Sequence, residues 1–183
     1  NGNSVSMTYT PNNDFTGQDT FTYKAIDLEG AESTPSTVTI NITNINDEPV
    51  LATIDSPVTL DEDEDITITV EASDADEDNL TYTCDDSADI TCTATGADIL
   101  IDPSLNFHGS QDLTIGVLDG NGGSDTQTIT VIVEPVNDAP EFTDIAATAS
   151  LTEGGSATIT VEASDVDTAT IGDVLSYSCT PSA

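Results

Sequence analysis

Two short runs of acids carry the residues most able to do chemistry. Glu71-Ala72-Ser73-Asp74-Ala75-Asp76 returns as Glu162-Ala163-Ser164-Asp165-Val166-Asp167. Each run closes a stretch of alternating β-forming residues with two carboxylates. Each also follows an Asn-Asp step with a nearby proline, Asn46-Asp47-Glu48-Pro49 and Asn137-Asp138-Ala139-Pro140. Acids packed this densely repel one another unless a cation sits among them. A hard divalent ion takes roughly six to eight oxygens from carboxylates, amide and backbone carbonyls, and water. Asp, Glu and Asn at turns supply that set, so the residues predict bound calcium.

The whole composition points the same way. The 183 residues include 35 Asp and Glu against a single basic residue, Lys24, for a net charge of −34. Phosphates need a basic surface, so nucleic acid is excluded as a partner, and an anionic membrane surface is disfavoured for the same reason. Salt bridges cannot neutralise the acids; each must face water, a backbone N–H or a metal. Regular apolar alternation argues for buried sheets over the disorder that an acidic, aromatic-poor chain could adopt. No run approaches the length of a membrane-spanning helix.

One His, one Lys and no Trp leave no nucleophile beside an oriented base, and nothing marks a sugar-binding platform. The reading is therefore a non-enzyme. His108 reads as an isolated, exposed turn residue. Three cysteines, with Cys84 and Cys92 close together, suit an oxidising, extracellular setting. A hairpin disulfide between Cys84 and Cys92 is expected, two free thiols being the alternative; Cys179 matches Cys84, and its partner would lie past Ala183.

The elements that position these groups repeat. From Pro49 to Pro140 is a step of 140 − 49 = 91 residues, and the flanking sequence returns with it. Phe15-Thr16-Gly17 matches Phe107-His108-Gly109, and Leu60 to Asp76 matches Leu151 to Asp167 without a gap. A repeat of this length, built of short alternating runs between turns, is the size of one Greek-key β-sandwich. Its strands are read at Val58–Leu60, Ile66–Val70, Leu80–Cys84, Ile99–Ile101, Leu113–Val117 and Thr128–Val133, with very little helix. Residues 1–47 read as the second half of a repeat, 48–138 as a whole one, and 139–183 as the first half of the next. Either the chain is part of a longer array, or neighbouring chains complete its ends.

Side chains alternate along an extended segment, so Asp74 and Asp76 are expected on one side, with Asn79 close behind. In this topology Asp119 and the linker residues Asn44, Asn46 and Asp47 reach the same end. Asp74-x-Asp76-x-Asp78 resembles the start of an EF-hand loop, but strand-like residues follow and no helices flank it. Gly120-Asn121-Gly122-Gly123-Ser124-Asp125 echoes a calcium-binding β-roll, though one copy reads as a turn.

Asp14-Phe15-x-Gly17-x-Asp19-x-Phe21-x-Tyr23, Asp27, Gly30 and Val136-Asn137-Asp138-Ala139-Pro140 together resemble the cadherin-like (Ig-like) repeats of large bacterial surface adhesins. The resemblance spans the chain in permuted register. It implies an all-β fold of tandem sandwiches whose linkers share Ca2+ with an acid before the second strand and an Asp-x-Asp of the next repeat. Carried over, Asp19, Asn44, Asn46, Asp47, Asp74, Asp76, Asn79 and Asp119 serve a first junction. Glu62, Asn137, Asp138, Asp165 and Asp167 serve a second, and Glu153 a third. Departures at Pro135, at Gln111 and in an insertion over residues 168–174 imply fewer or weaker ions at the second junction.

These readings converge on an extracellular or cell-surface spacer, rigidified by Ca2+, whose partners are neighbouring repeats of the same or identical chains. The alternative is a filament or sheath subunit, a head-to-tail homopolymer joined by strand complementation. A glycan-binding module has no residues to support it beyond fold analogy.

Overall fold

The computed structural model describes residues 4–145, 148–169 and 174–180. In chain order the strands are β1 (Gly17–Tyr23), β2 (Ser36–Ile42), β3 (Val50–Leu51), β4 (Val58–Asp61), β5 (Ile66–Thr69), β6 (Ala72–Ser73) and β7 (Thr81–Cys84). They continue as β8 (Ile90–Thr95), β9 (Asp98–Pro103), β10 (Gly109–Leu118), β11 (Ser124–Glu134), β12 (Glu141–Ile145) and β13 (Val161–Ser164). A 3-10 turn at Val166–Ala169 is the helical element among the described residues. The fold is all-β, as the alternating pattern requires.

The sandwich forms where alternation is strongest. Along β11, Ile129, Val131 and Val133 point inward and are buried, while Thr128 and Thr130 face out. One sheet has the order β4-β11-β10-β7 and the other β5-β9-β8, with the short pair β3-β6 beside it. Between them lie Leu60, Leu113, Ile115 and Val117 from the first sheet and Ile90, Ile99 and Ile101 from the second, all buried. Burying a side chain of this size contributes about 1.5–3 kcal/mol. Among the described residues, every buried hydrophobic lies between Leu51 and Val133.

The chain changes sheets early. Segment β3 pairs antiparallel with β6, and after a cis Ser56–Pro57 peptide β4 runs parallel to β11, Val58 opposite Val131 and Leu60 opposite Val133. The step of 91 residues is visible in the backbone. Val50 pairs with Ser73 and Leu51 with Ala72; Glu141 pairs with Ser164 and Phe142 with Ala163.

The disulfide forms but is not a hairpin bridge. Cys84 in β7 and Cys92 in β8 are bonded, with Cα atoms 5.6 Å apart. These strands belong to different sheets: Cys84 lies opposite Ile115, Cys92 opposite Ile101. The connection crosses the sandwich edge, so the bond staples one layer to the other. Strand β8 also exceeds what the sequence marks out. Its Thr and Ala positions give little polarity contrast, although Ile90 and Cys92 are buried.

Candidate metal centres at two junctions

The first centre grows from the turn after β6. Asp74 Oδ1 accepts the backbone N–H of Asp76 at 2.8 Å and of Asp78 at 3.2 Å. Glu77 enters the left-handed region with φ 59°. This folding, rather than strand alternation, brings the acids together. Asp74, Asp76 and Asp78 each offer a carboxylate oxygen, all within 4.8 Å of one another. Asp78, set aside in the sequence as part of an EF-hand-like echo, is a full member of the cluster.

The linker before β3 is fastened to that cluster. Asp47 N–H donates to Asp76 Oδ2 at 2.8 Å, and Asn44 Nδ2 donates to Asp76 Oδ1 at 2.9 Å. Asn46 Nδ2 donates to Asp119 Oδ2 at 2.7 Å and also reaches the carbonyl of Asp47. Asp119 is buried, and its Oδ1 accepts the N–H groups of Asn121, Gly122 and Gly123. The Asn46 amide, with those backbone donors behind it, holds the Asp119 carboxyl below its usual range. Asp119 therefore works as a latch between the linker and the β10–β11 turn. The latch reaches the triplet through Asn121, whose Nδ2 donates to Asp78 Oδ2 at 2.7 Å. Gly123 leaves the room for it: a Cβ there would overlap Asp119 Oδ2 and meet Glu48 Cα and Pro49 Cδ at 3.0 Å.

The second centre repeats the first. Asp138 N–H donates to Asp167 Oδ2 at 2.5 Å, as Asp47 does to Asp76. Asp167 N–H donates to Asp165 Oδ1 at 2.8 Å, as Asp76 does to Asp74. Asn137 Nδ2 reaches the carbonyl of Asp138, as Asn46 does that of Asp47. Here Glu62, Asp138 and Asp167 offer oxygens within 4.8 Å of one another. Glu62 is pinned on both sides: its N–H bonds the Glu134 carbonyl at 2.9 Å, and its Oε1 accepts Val136 N–H at 2.7 Å. Glu62, Asp165 and Asp167 are buried. His108 is not an exposed turn residue but half-buried, its Nδ1 3.6 Å from Glu62 Oε2.

Electrostatics single out the two linker aspartates. Partial burial, then the neighbouring charges of Asp14, Asp76 and Asp74, raise the Asp47 carboxyl above its ordinary value. Partial burial, then Asp63, Asp167, Glu62 and Asp165, raise that of Asp138. Asp14 and Asp63 thus act on the two acidic groups, although neither belongs to the repeated acidic runs. Both adopt left-handed backbone, φ 58° and 62°, as Asn106 does with φ 56°. Asp and Asn tolerate that region, and the turn-prone Asn12-Asn13-Asp14 was the available signal.

Asp19 sits within β1, where the Tyr9 hydroxyl and Thr20 N–H donate to its carboxylate and hold it below its usual range. Asn79 and Glu153 are exposed. Of the insertion expected over 168–174, residues 170–173 lie outside the described residues. Cys179 is exposed and free. Lys24 pairs with Glu32 at 2.8 Å rather than with either centre.

The donors fit a hard divalent cation. They are all oxygen, and Asp74 Oδ2 and Asp138 Oδ2 are buried with no hydrogen-bond partner. A buried anionic oxygen without a donor is costly, and a divalent cation would supply such a partner.

The fold is matched among known proteins. The chain matches the bacterial Ig domain family over residues 1–43 and 46–132. It belongs to that family. This bacterial Ig-domain chain is 36% identical over 129 residues to Chitinase A of Pseudoalteromonas piscicida, a match covering 68% of the chain and 15% of that protein. Among solved structures it resembles the protocadherin gamma B2 extracellular cadherin domains 1–5, with TM-score 0.55 and 18% identity, covering 84% of this chain and 32% of that one. It also resembles human CDH23 EC21-23, with TM-score 0.50 and 20% identity, covering 85% of this chain and 56% of that one. These likenesses fix a cadherin-like, Ig-like sandwich. Among the described residues of this bacterial Ig-domain chain, no helix is long and apolar enough to cross a membrane.

Proposed function

We propose that the chain is a spacer of a secreted or surface-anchored, adhesin-like protein, in which residues 48–138 form one whole unit and residues 1–47 and 139–183 belong to the units on either side. On this reading Ca2+ stiffens the two junctions. When bound, the ion supplies positive charge and a demand for several shared oxygens. Asp74, Asp76 and Asp78 with Asp47 would hold it at the first junction, and Glu62, Asp138, Asp165 and Asp167 at the second.

The observation that carries this is the recurrence, at both junctions, of the same bond from a linker aspartate to the second acid of the next Asp-x-Asp. Linker and turn thereby bring their carboxylates to one place. Without a counter-charge those acids repel and the linker loosens; neutralised, they hold it against the turn. The inter-sheet disulfide supports an oxidising, extracellular location. Small-angle scattering with calcium and with excess chelator tests the proposal. A maximum dimension that broadens on chelation is expected, and an unchanged one counts decisively against it.

Strand exchange between identical chains is a second reading, favoured by the exposed apolar side chains of Tyr23 on β1 and of Phe142 and Ile145 on β12. A chain that stays monomeric and fully folded at high concentration excludes it.

A further inference from the structure

The turn Gly120-Asn121-Gly122-Gly123 carries a chemistry that the junction does not need. Among the described residues Asn121 is the only asparagine followed by glycine. Glycine has no side chain to keep its backbone nitrogen from the preceding carboxamide carbon, and Gly122 holds φ at 113°, open to glycine alone among ordinary residues. Both residues are exposed to water. Both ends of the reacting pair lie against acids: Gly122 N–H donates to Asp119 Oδ1 at 2.9 Å, and Asn121 Nδ2 donates to Asp78 Oδ2 at 2.7 Å.

We propose that Asn121 is a deamidation site whose product brings a further carboxylate to the Asp74, Asp76 and Asp78 centre. The Gly122 nitrogen attacks Asn121 Cγ and loses its proton. A C–N bond forms, the Cγ–Nδ2 bond breaks, and the side-chain nitrogen leaves as ammonia. Water then opens the five-membered imide at either carbonyl, giving aspartate or isoaspartate at position 121. No oxidant or reductant is involved. The amide that donated to Asp78 is replaced by an anionic oxygen, so a hydrogen bond becomes a meeting of like charges unless a cation lies between them. The junction's affinity for divalent ions thus rises with the age of the molecule. This consequence rests on the calcium reading; the covalent step does not.

Two measurements test it. The 183-residue chain is incubated at mildly alkaline pH, digested, and its peptides followed by mass spectrometry with chromatographic separation of aspartate from isoaspartate. Asn121 is expected to convert ahead of Asn12, Asn41, Asn79 and Asn106, with isoaspartate as the main product. Conversion of any of those four before Asn121 overturns the assignment. Calcium titrations then compare Asn121→Asp with Asn121→Gln. Asn121→Asp is expected to lower the midpoint for the first junction several-fold below that of wild type, and Asn121→Gln, which adds no charge, is not. Equal midpoints overturn the coupling. If neither variant nor wild type takes up calcium, the junction proposal fails while the peptide map still decides the modification.

Discussion

A single bond made twice separates these acids from ordinary surface charge. Asp76 and Asp167 each accept a linker N–H while standing in a carboxylate triplet. Asp76→Asn keeps an oxygen for that N–H and removes one charge. It is expected to abolish calcium uptake at the first junction alone, and Asp167→Asn at the second alone. Calorimetric stoichiometry checks this, and full stoichiometry in either variant would falsify the assignment. The linker aspartates also set the pH response of the calcium-free chain. Asp47 and Asp138 are raised above the ordinary 3.8, so the folded state holds their protons more tightly than the unfolded chain does. Their contribution to stability is present at low pH and lost as pH rises through the raised values. Asp19 and Asp119 are lowered, and theirs is lost as pH falls below 3.8 toward their folded values. Thermal melts in chelator should therefore improve on moving from neutral pH toward the upper carboxylate range, then fall away below it. A melting temperature flat across that range contradicts this. Sequence revealed Asp74, Asp76, Asp165 and Asp167 because they recur. It did not reveal Asp78, Asp14 or Asp63, whose recruitment depends on turn conformation and on contacts distant along the chain.

Among the elements, β11 buries a regular stripe of Ile129, Val131 and Val133. Ile129→Ala removes a fully buried side chain between two sheets and is expected to cost about 2–5 kcal/mol, read from urea unfolding. A loss under about 1 kcal/mol would show that the layers collapse onto the gap. Gly123→Ala tests the latch. The added methyl meets the Asp119 carboxylate and the linker backbone, so weaker calcium binding with the sandwich core intact is expected. An unchanged midpoint removes Asp119 from the junction's support. Strands were legible wherever Ile and Val alternate with Thr, as in β11. Layer membership was not: proximity in sequence made Cys84 and Cys92 look like a hairpin pair, while strand pairing placed them in opposite sheets.

For the whole chain, a net charge of −34 with one lysine makes self-repulsion a general load on the folded state. Monovalent salt screens exposed charges over about 8 Å at physiological strength. The melting temperature of the chelated chain should rise steadily with sodium chloride, and that of the calcium-loaded chain much less. Equal slopes would mean that the clusters are not where the repulsion is concentrated. The period was readable from sequence because the same side chains return at a fixed interval. The crossing of the chain from one sheet to the other near Pro57 was not, since nothing local encodes which sheet a short edge strand joins.

That crossing leaves β4, near the entry to the sandwich, lying parallel to β11 at its exit, paired from Val58 to Asp61. A pull along the chain from both linkers therefore slides the two strands past each other lengthwise. The ladder bonds between them must give way together, whereas an antiparallel pair pulled from adjacent ends would unzip one rung at a time.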